Sequence, residues 1–312
     1  MTLAMVFPGQ GSQSISMQAD LSTEFAEVKT TYAEASEQLG YDLWQLVQEG
    51  PKEELNKTVV TQPAMMTAGV ASWRIWQKSE GKIPTLIAGH SLGEYTALVC
   101  AGAIEFSEAV RLLQRRAELM QQAIPAGDGA MAAILGLDDD IVLSVCRDAE
   151  EGQVVQAVNF NSPGQVVIAG VRSAVERATT LAKKAGARRV LLLNISVPAH
   201  CELMKPAAEK LAEVLAVTKF SIPSIPVINN VDIVEYERVE QIRDGLRRQL
   251  FSPVRWHETI ELMIKHGSMK IIECGPGKVL TSLTRRINKS ITSVCIDSPA
   301  TLEAALQKCH RN

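Results

Sequence analysis

The chain has 312 residues, 46% of them hydrophobic, which is enough for one large domain or two unequal ones around a sizeable core. A net charge of −3 and an aromatic content of 4% argue against general nucleic-acid binding, which needs a basic excess and stacking side chains. No apolar run approaches the roughly 20 residues that span a bilayer, and no basic, apolar, cleavable segment opens the chain.

Residues 3–7 read as a buried strand running into the loop Pro8-Gly9-Gln10-Gly11-Ser12-Gln13. A dinucleotide fingerprint would require glycine at position 14, which is serine. Gln10 is either a solvated loop residue or a donor at the sheet end where open α/β folds place ligands. Residues 22–40 and 42–48 predict helices, and 53–57 a polar linker or short helix. Thr61-Gln62-Pro63-Ala64 starts a long helix through Trp76, with proline in its first turn. After the loop 81–84 comes Thr85-Leu86-Ile87-Ala88-Gly89-His90-Ser91-Leu92-Gly93-Glu94: a strand, a tight turn and the start of a helix to 101. A further helix, 106–123, carries Arg111, Arg115 and Arg116.

The rhythm changes at Pro125-Ala126-Gly127-Asp128-Gly129. Residues 130–135 predict a strand and 138–149 a helix. Strands 154–160 and 165–170 follow, joined by the turn Asn161-Ser162-Pro163-Gly164, then helix 173–185 and strand 189–193. The order β-α-β-β-α-β is the ferredoxin-like pattern. We place this small inserted domain at 127–196, within a large domain made of 1–126 and 197–312. The chain then gives helix 204–216, strand 227–230, helices 240–249 and 257–266, strand 270–274, helix 279–287 and strand 293–296. Alternating strands and helices imply an α/β fold with a mainly parallel sheet.

The chemistry centres on Ser91. Glycines two residues either side permit a sharp turn, which lifts the hydroxyl clear of the sheet and sets it at a helix N-terminus. Ser91 is then a nucleophile, or else simply a turn serine. Of the five histidines, His200 sits in the loop after Pro198, a location suited to a base. His90, adjacent to Ser91, points away in such a turn. His266 lies near a helix end, and His310 in a frayed tail. His257 with Glu258 and Glu261 resembles a zinc motif without its second histidine, so an ordinary charged face is expected and no metal. Arg115 and Arg116 are ordinarily an exposed pair; the sharper reading sends a guanidinium into the pocket to grip a carboxylate. Gly275-Pro276-Gly277-Lys278 lacks the spacing of a phosphate loop and reads as a tight turn. The six scattered cysteines read as reduced thiols of a cytoplasmic protein.

Several stretches occur together in one order: Phe7-Pro8-Gly9-Gln10-Gly11-Ser12-Gln13, Thr61-Gln62-Pro63-Ala64, Gly89-His90-Ser91-Leu92-Gly93-Glu94, Arg116, Val197-Pro198-Ala199-His200 and Glu273-Cys274-Gly275-Pro276-Gly277. Over nearly its whole length the chain resembles the malonyl-CoA:acyl-carrier-protein transacylases of dissociated fatty acid synthesis. The resemblance implies an α/β-hydrolase-like large domain with a ferredoxin-like insertion. It implies Ser91 as nucleophile, His200 as base, and a backbone carbonyl of Gln249 orienting that base. Gln10 and Leu92 match the backbone donors of an oxyanion hole, and Arg116 matches the residue that grips the malonyl carboxylate. Gln62 and Asn161 match pocket residues. Leu92 is the kind of aliphatic residue malonyl-specific members carry; position 199, where members vary, is alanine. The implied substrates are malonyl-CoA and the phosphopantetheine thiol carried by acyl carrier protein. A monomer without bound cofactor is expected, with no nucleic-acid or membrane partner. A basic patch for the acidic carrier is sought at Lys183-Lys184, Arg188-Arg189 and Arg285-Arg286.

Two other classes compete. A serine hydrolase on the same fold predicts an acidic third member on the His200 ring, and acidic residues do lie between Ser91 and His200. A non-catalytic carrier-binding protein would form no acyl-enzyme.

Overall fold

The computed structural model describes residues 2–125, 127–193, 195 and 197–310. Residues 126 and 196, at the expected edges of the insertion, lie outside the described residues. Nine strands are described: β1 Thr2–Phe7, β2 Leu86–Gly89, β3 Gly129–Leu135, β4 Val155–Ser162, β5 Gln165–Val171, β6 Arg189–Leu192, β7 Val227–Ile228, β8 Ser268–Cys274 and β9 Thr292–Ile296. They form two sheets. One has the order β7-β2-β1-β8-β9 and every pairing in it is parallel. The other has the order β4-β5-β3-β6 and every pairing is antiparallel. The α/β class, the parallel sheet and the separate β-α-β-β-α-β unit are as expected.

The parallel strands read as continuous apolar runs because helices cover both faces. Ala4, Met5, Val6 and Phe7 of β1 are fully buried. Met5 and Phe7 join the core beneath the long helix Thr58–Lys78, while Ala4 and Val6 face Trp256, Ile260 and Met263 on the other side. The antiparallel sheet has its own core, where Ala132, Ile134, Val166 and Ile168 meet the helices Asp139–Ala149 and Arg172–Lys184.

The two sheets are joined by backbone. Phe160 N–H donates to Val254 C=O at 3.0 Å, and Val254 N–H donates back to Val158 C=O at 2.8 Å. This contact brings the far end of β4 to the carboxyl ends of β1 and β2, where ligands of parallel sheets bind.

Four expectations are corrected. Residues 22–40 are not one helix: Ala19–Glu24 and Ala26–Leu39 are separated by extended Phe25, whose N–H caps the first helix at Leu21 C=O. The long helix begins at Thr58, because Thr58 and Val60 are themselves core residues, so Pro63 falls in its second turn. The turn between β4 and β5 is Pro163-Gly164 alone; Asn161 and Ser162 remain strand, with Ser162 opposite Gln165. The C-terminal segment expected to fray is helical over Pro299–His310, started by Thr301 Oγ1 accepting the Asp297 and Ser298 N–H groups.

All six cysteines are free thiols. Among the described residues no helix is long and apolar enough to cross a membrane.

Candidate active site

The turn after β2 is built by close packing. A Cβ on Gly89 would lie 1.8 Å from Gly93 C, and one on Gly93 would lie 2.2 Å from Phe7 C=O, so no larger residue fits either position. The turn forces Ser91 to φ 54°, a left-handed conformation costing about 1–3 kcal/mol in a non-glycine residue. Asn230, at the end of β7, holds it there: its Oδ1 accepts Ser91 N–H at 2.7 Å and its Nδ2 donates to Gly89 C=O at 2.7 Å.

His200, also at positive φ (67°), reaches Ser91 from the opposite side. Ser91 Oγ and His200 Nε2 lie 2.8 Å apart, and His200 Nδ1 lies 2.7 Å from Gln249 C=O. A carbonyl only accepts, so Nδ1 carries the proton and Nε2 is free to take one from Ser91. That carbonyl ends the helix Val239–Gln249, where unpaired C=O groups and the helix dipole favour a positive ring. The hydrolase reading called for a carboxylate at Nδ1; a backbone carbonyl occupies that position.

Burial first, and the Arg116 charge second, push the His200 pKa down to about 3. The imidazole is therefore neutral and able to act as a base at physiological pH. The folded pKa lies below the unfolded one, so this ring stabilises the fold above pH 6.5. That contribution is lost as pH falls below 6.5, because the unfolded chain takes up a proton the folded chain refuses. We expect the His200 ring resonances in an NMR titration to stay those of the neutral form from pH 7 to pH 5. A transition between pH 6 and 7 would show that the ring is solvated.

Leu92 is the residue before the helix Gly93–Cys100, and its N–H has no acceptor among the described residues. The same holds for Gln10 N–H. The Gln10 loop lies against the turn: a Cβ on Gly9 would sit 2.5 Å from His90 C=O, and His90 N–H bonds to Phe7 C=O. The loop bearing the Gln10 amide is thus packed on the residue before Ser91, and the Leu92 amide follows Ser91 directly.

The arginine pair divides. Arg115 is exposed and pairs with Glu118, whereas Arg116 is 1% exposed and turns inward. One terminal nitrogen of Arg116 donates to Gln62 Oε1 at 2.6 Å. The other donates to Gln249 Oε1 at 2.9 Å and lies 3.5 Å from Ser91 Oγ. The guanidinium carbon lies 5.4 Å from the Tyr95 ring centroid. Arg116 Nε is buried with no hydrogen-bond partner. Every oxygen that the terminal nitrogens meet among the described residues is neutral, so the guanidinium charge is left for an anion beside Ser91. Gln62 is set by its amide nitrogen, 3.6 Å from Met120 Sδ, which leaves its oxygen for Arg116.

Asn161, from β4, is hydrogen-bonded to the residue before Ser91. Its Oδ1 lies 2.8 Å from His90 Nε2, and the His90 ring leans on Trp256, so His90 is turned away from the serine as expected. His257 pairs with Glu261 on its helix. Among the described residues no cluster of three or more His, Cys, Asp or Glu could hold a metal ion. In the Gly275–Lys278 turn Gly277 N–H donates to Asp297 Oδ1, and just after it the N–H groups of Leu280 and Thr281 donate to the buried carboxyl of Glu273.

Sequence reasoning missed three residues. Glu94 accepts from Gln249 Nε2 and Asn230 N–H, and Tyr236 donates its hydroxyl to Glu94. Burial pushes the Glu94 carboxyl up to about 7, against those hydrogen bonds and the field of Arg116, which favour the anion. The sequence signals were Asn229-Asn230 after a strand and an acid in the first turn of a mostly apolar helix.

The family model for the acyl transferase domain matches residues 4–312. A malonyl CoA-acyl carrier protein transacylase of Salmonella typhimurium strain LT2 is 56% identical over 303 residues, covering 97% of this chain and 98% of that protein. An acyl carrier protein S-malonyltransferase of Vibrio cholerae, known as a crystal structure, is 58% identical with a TM-score of 0.95, over 97% of this chain and 99% of that one. A malonyl-transacylase solved in complex with its type II PKS acyl-carrier protein is 55% identical with a TM-score of 0.98, over 99% of this chain and 100% of that one. With sequence, fold and coverage in agreement, the chain belongs to the malonyl CoA-acyl carrier protein transacylase family of acyl transferases.

Proposed function

We propose that this chain transfers the malonyl group of malonyl-CoA to the phosphopantetheine thiol of acyl carrier protein, supplying malonyl-carrier for fatty acid elongation. The observation that carries the reading is Arg116, a buried cation bonded to neutral oxygens, set beside a serine–histidine pair. A hydrolase of neutral esters has no use for that charge.

The reaction has two halves. His200 Nε2 takes the Ser91 proton as Oγ attacks the thioester carbon, and the oxyanion rests on the Gln10 and Leu92 N–H groups. The tetrahedral intermediate collapses, the C–S bond breaks, and CoA leaves as a thiol with the proton from His200. The carrier thiol then gives its proton to His200 and attacks malonyl-Ser91. The C–O bond breaks and Ser91 recovers the proton. Gln249 C=O keeps the base in its working tautomer, Arg116 holds the malonyl carboxylate with Gln62 bracing it, and Asn161 closes the pocket wall through His90. Acyl exchange between thiol and hydroxyl is redox-neutral and calls for no resident cofactor.

In this reading 1–126 and 197–312 form the catalytic domain and 127–196 the small domain, and the enzyme works as a cytoplasmic monomer. The carrier docks near the β4–β5 turn. Arg188 packs beside Gly136, whose N–H bonds to Gly164, and Arg286 donates to Gln165, so two exposed cations flank that tip. An acidic carrier is steered to such a rim.

Incubation with malonyl-CoA alone, followed by intact mass and peptide mapping, tests the reading. We expect a malonyl adduct on Ser91 that holo carrier protein discharges and water removes slowly. Rapid loss to water would make the protein a hydrolase, and absence of any adduct would overturn acyl transfer.

A further inference from the structure

Glu94 is fully buried on the helix Gly93–Cys100. Its Oε2 accepts Gln249 Nε2 at 2.9 Å and Asn230 N–H at 3.0 Å, and its Oε1 accepts the Tyr236 hydroxyl at 2.5 Å. All three donors are neutral. A buried carboxylate so placed is costly unless a cation lies near. Arg116 is the converse case: a buried cation whose direct partners are two amide oxygens, a serine hydroxyl and an aromatic ring.

The Gln249 side chain touches both. Its nitrogen faces Glu94 and its oxygen faces Arg116, so the amide dipole lies head to tail between the two charges. Arg116 can only donate, and Ser91 C=O, 3.1 Å from the same amide nitrogen, can only accept, which fixes the amide in that sense. Each charge raises the other's tendency to stay ionised across this bridge.

We infer that Glu94 is the resident counter-charge of Arg116, relayed through the Gln249 amide, and that it sets how tightly the site holds an acyl group bearing a carboxylate. The inference rests on Arg116 receiving that carboxylate. An incoming malonyl group must share Arg116 with an anion already present, and its hold is weakened accordingly. The acyl group is thereby selected by charge yet released to the carrier.

Glu94→Gln separates charge from shape. The new amide oxygen takes the place that accepts Gln249 and Asn230, and the new amide nitrogen donates to the Tyr236 oxygen. We expect the KM for malonyl-CoA in Ser91 acylation to fall about three- to tenfold, while that for acetyl-CoA stays within about twofold. A malonyl KM that is unchanged or raised, or an equal change for both substrates, overturns the proposal.

Melting temperatures of the four proteins in the Glu94→Gln, Arg116→Ala cycle give a second reading that does not need turnover. With Arg116 present, Glu94→Gln strips a cation of its partner and lowers the melting temperature, to the point of unfolding if the coupling is strong. In the Arg116→Ala background it removes an unpaired anion and leaves the melting temperature unchanged or raised. The same loss in both backgrounds refutes the pairing. A wild-type protein that takes no malonyl group would overturn the proposed function, and the cycle would still decide the pairing.

Discussion

Ser91→Ala is expected to abolish the malonyl adduct and reduce transfer to the carrier by on the order of 10⁴–10⁶-fold. The size follows from the geometry. Ser91 Oγ is the atom 2.8 Å from His200 Nε2, and the turn that presents it is fixed by Gly89, Gly93 and Asn230. Alanine is smaller than serine and tolerates the same backbone no worse, so the fold survives while the chemistry is lost. Its methyl group has no lone pair to carry the acyl group. A direct attack of the carrier thiol on malonyl-CoA would need the carrier's phosphopantetheine arm and the CoA thioester in the site together. The measurement is single-turnover transfer of labelled malonyl groups to holo carrier protein, with a melting curve as control. Transfer at the wild-type rate by folded Ser91→Ala protein would eliminate the covalent route.

Arg116→Ala is expected to lower malonyl transfer by about 10²–10³-fold, equivalent to roughly 3–4 kcal/mol, and to favour acetyl over malonyl relative to the wild type. Two terms add. The malonyl carboxylate loses its charged partner in a site with little water, and Glu94 is left as a buried anion whose nearest cation is gone. The second term falls on both substrates through stability; only the first discriminates between them. The ratio of kcat/KM for malonyl-CoA and acetyl-CoA therefore isolates the arginine's contact with substrate. An unchanged ratio would remove Arg116 from substrate selection.

Local signals made much of this legible. The strand, turn and helix around Ser91 follow from apolar residues, two glycines and a serine within eleven residues. The second unit was readable from its order of elements, since each strand and helix there has the expected period. What stayed hidden depends on partners far away in the chain. The pair alone does not say whether Arg115 or Arg116 turns inward, and the helical period that does was not applied to it: the helix Phe106–Gln122 packs its Ala109, Val110, Leu113 and Ala117 face inward, and Arg116 falls on that face. Glu94 meets Asn230 and Tyr236 across 136 and 142 residues, so its burial could not be read from its neighbours. The role of Gln249 C=O came only through resemblance, because a backbone carbonyl leaves no mark on composition. The break at Phe25 and the final helix were missed for the opposite reason: their signals are short-range but weak, a single extended residue and a threonine that starts a helix.

Strand β4 pairs with β5 along one edge and exchanges hydrogen bonds with Val254 at its far end, and Asn161 at its tip steadies the histidine next to Ser91. Val254 follows Gln249 by only a few residues, on the same stretch that orients the base. One strand is thus wired into two assemblies. Any movement of the antiparallel sheet is therefore passed through β4 to the segment that orients His200 and to the residue beside Ser91. The setting of the serine is thus shared between two sheets, not carried by the parallel one alone.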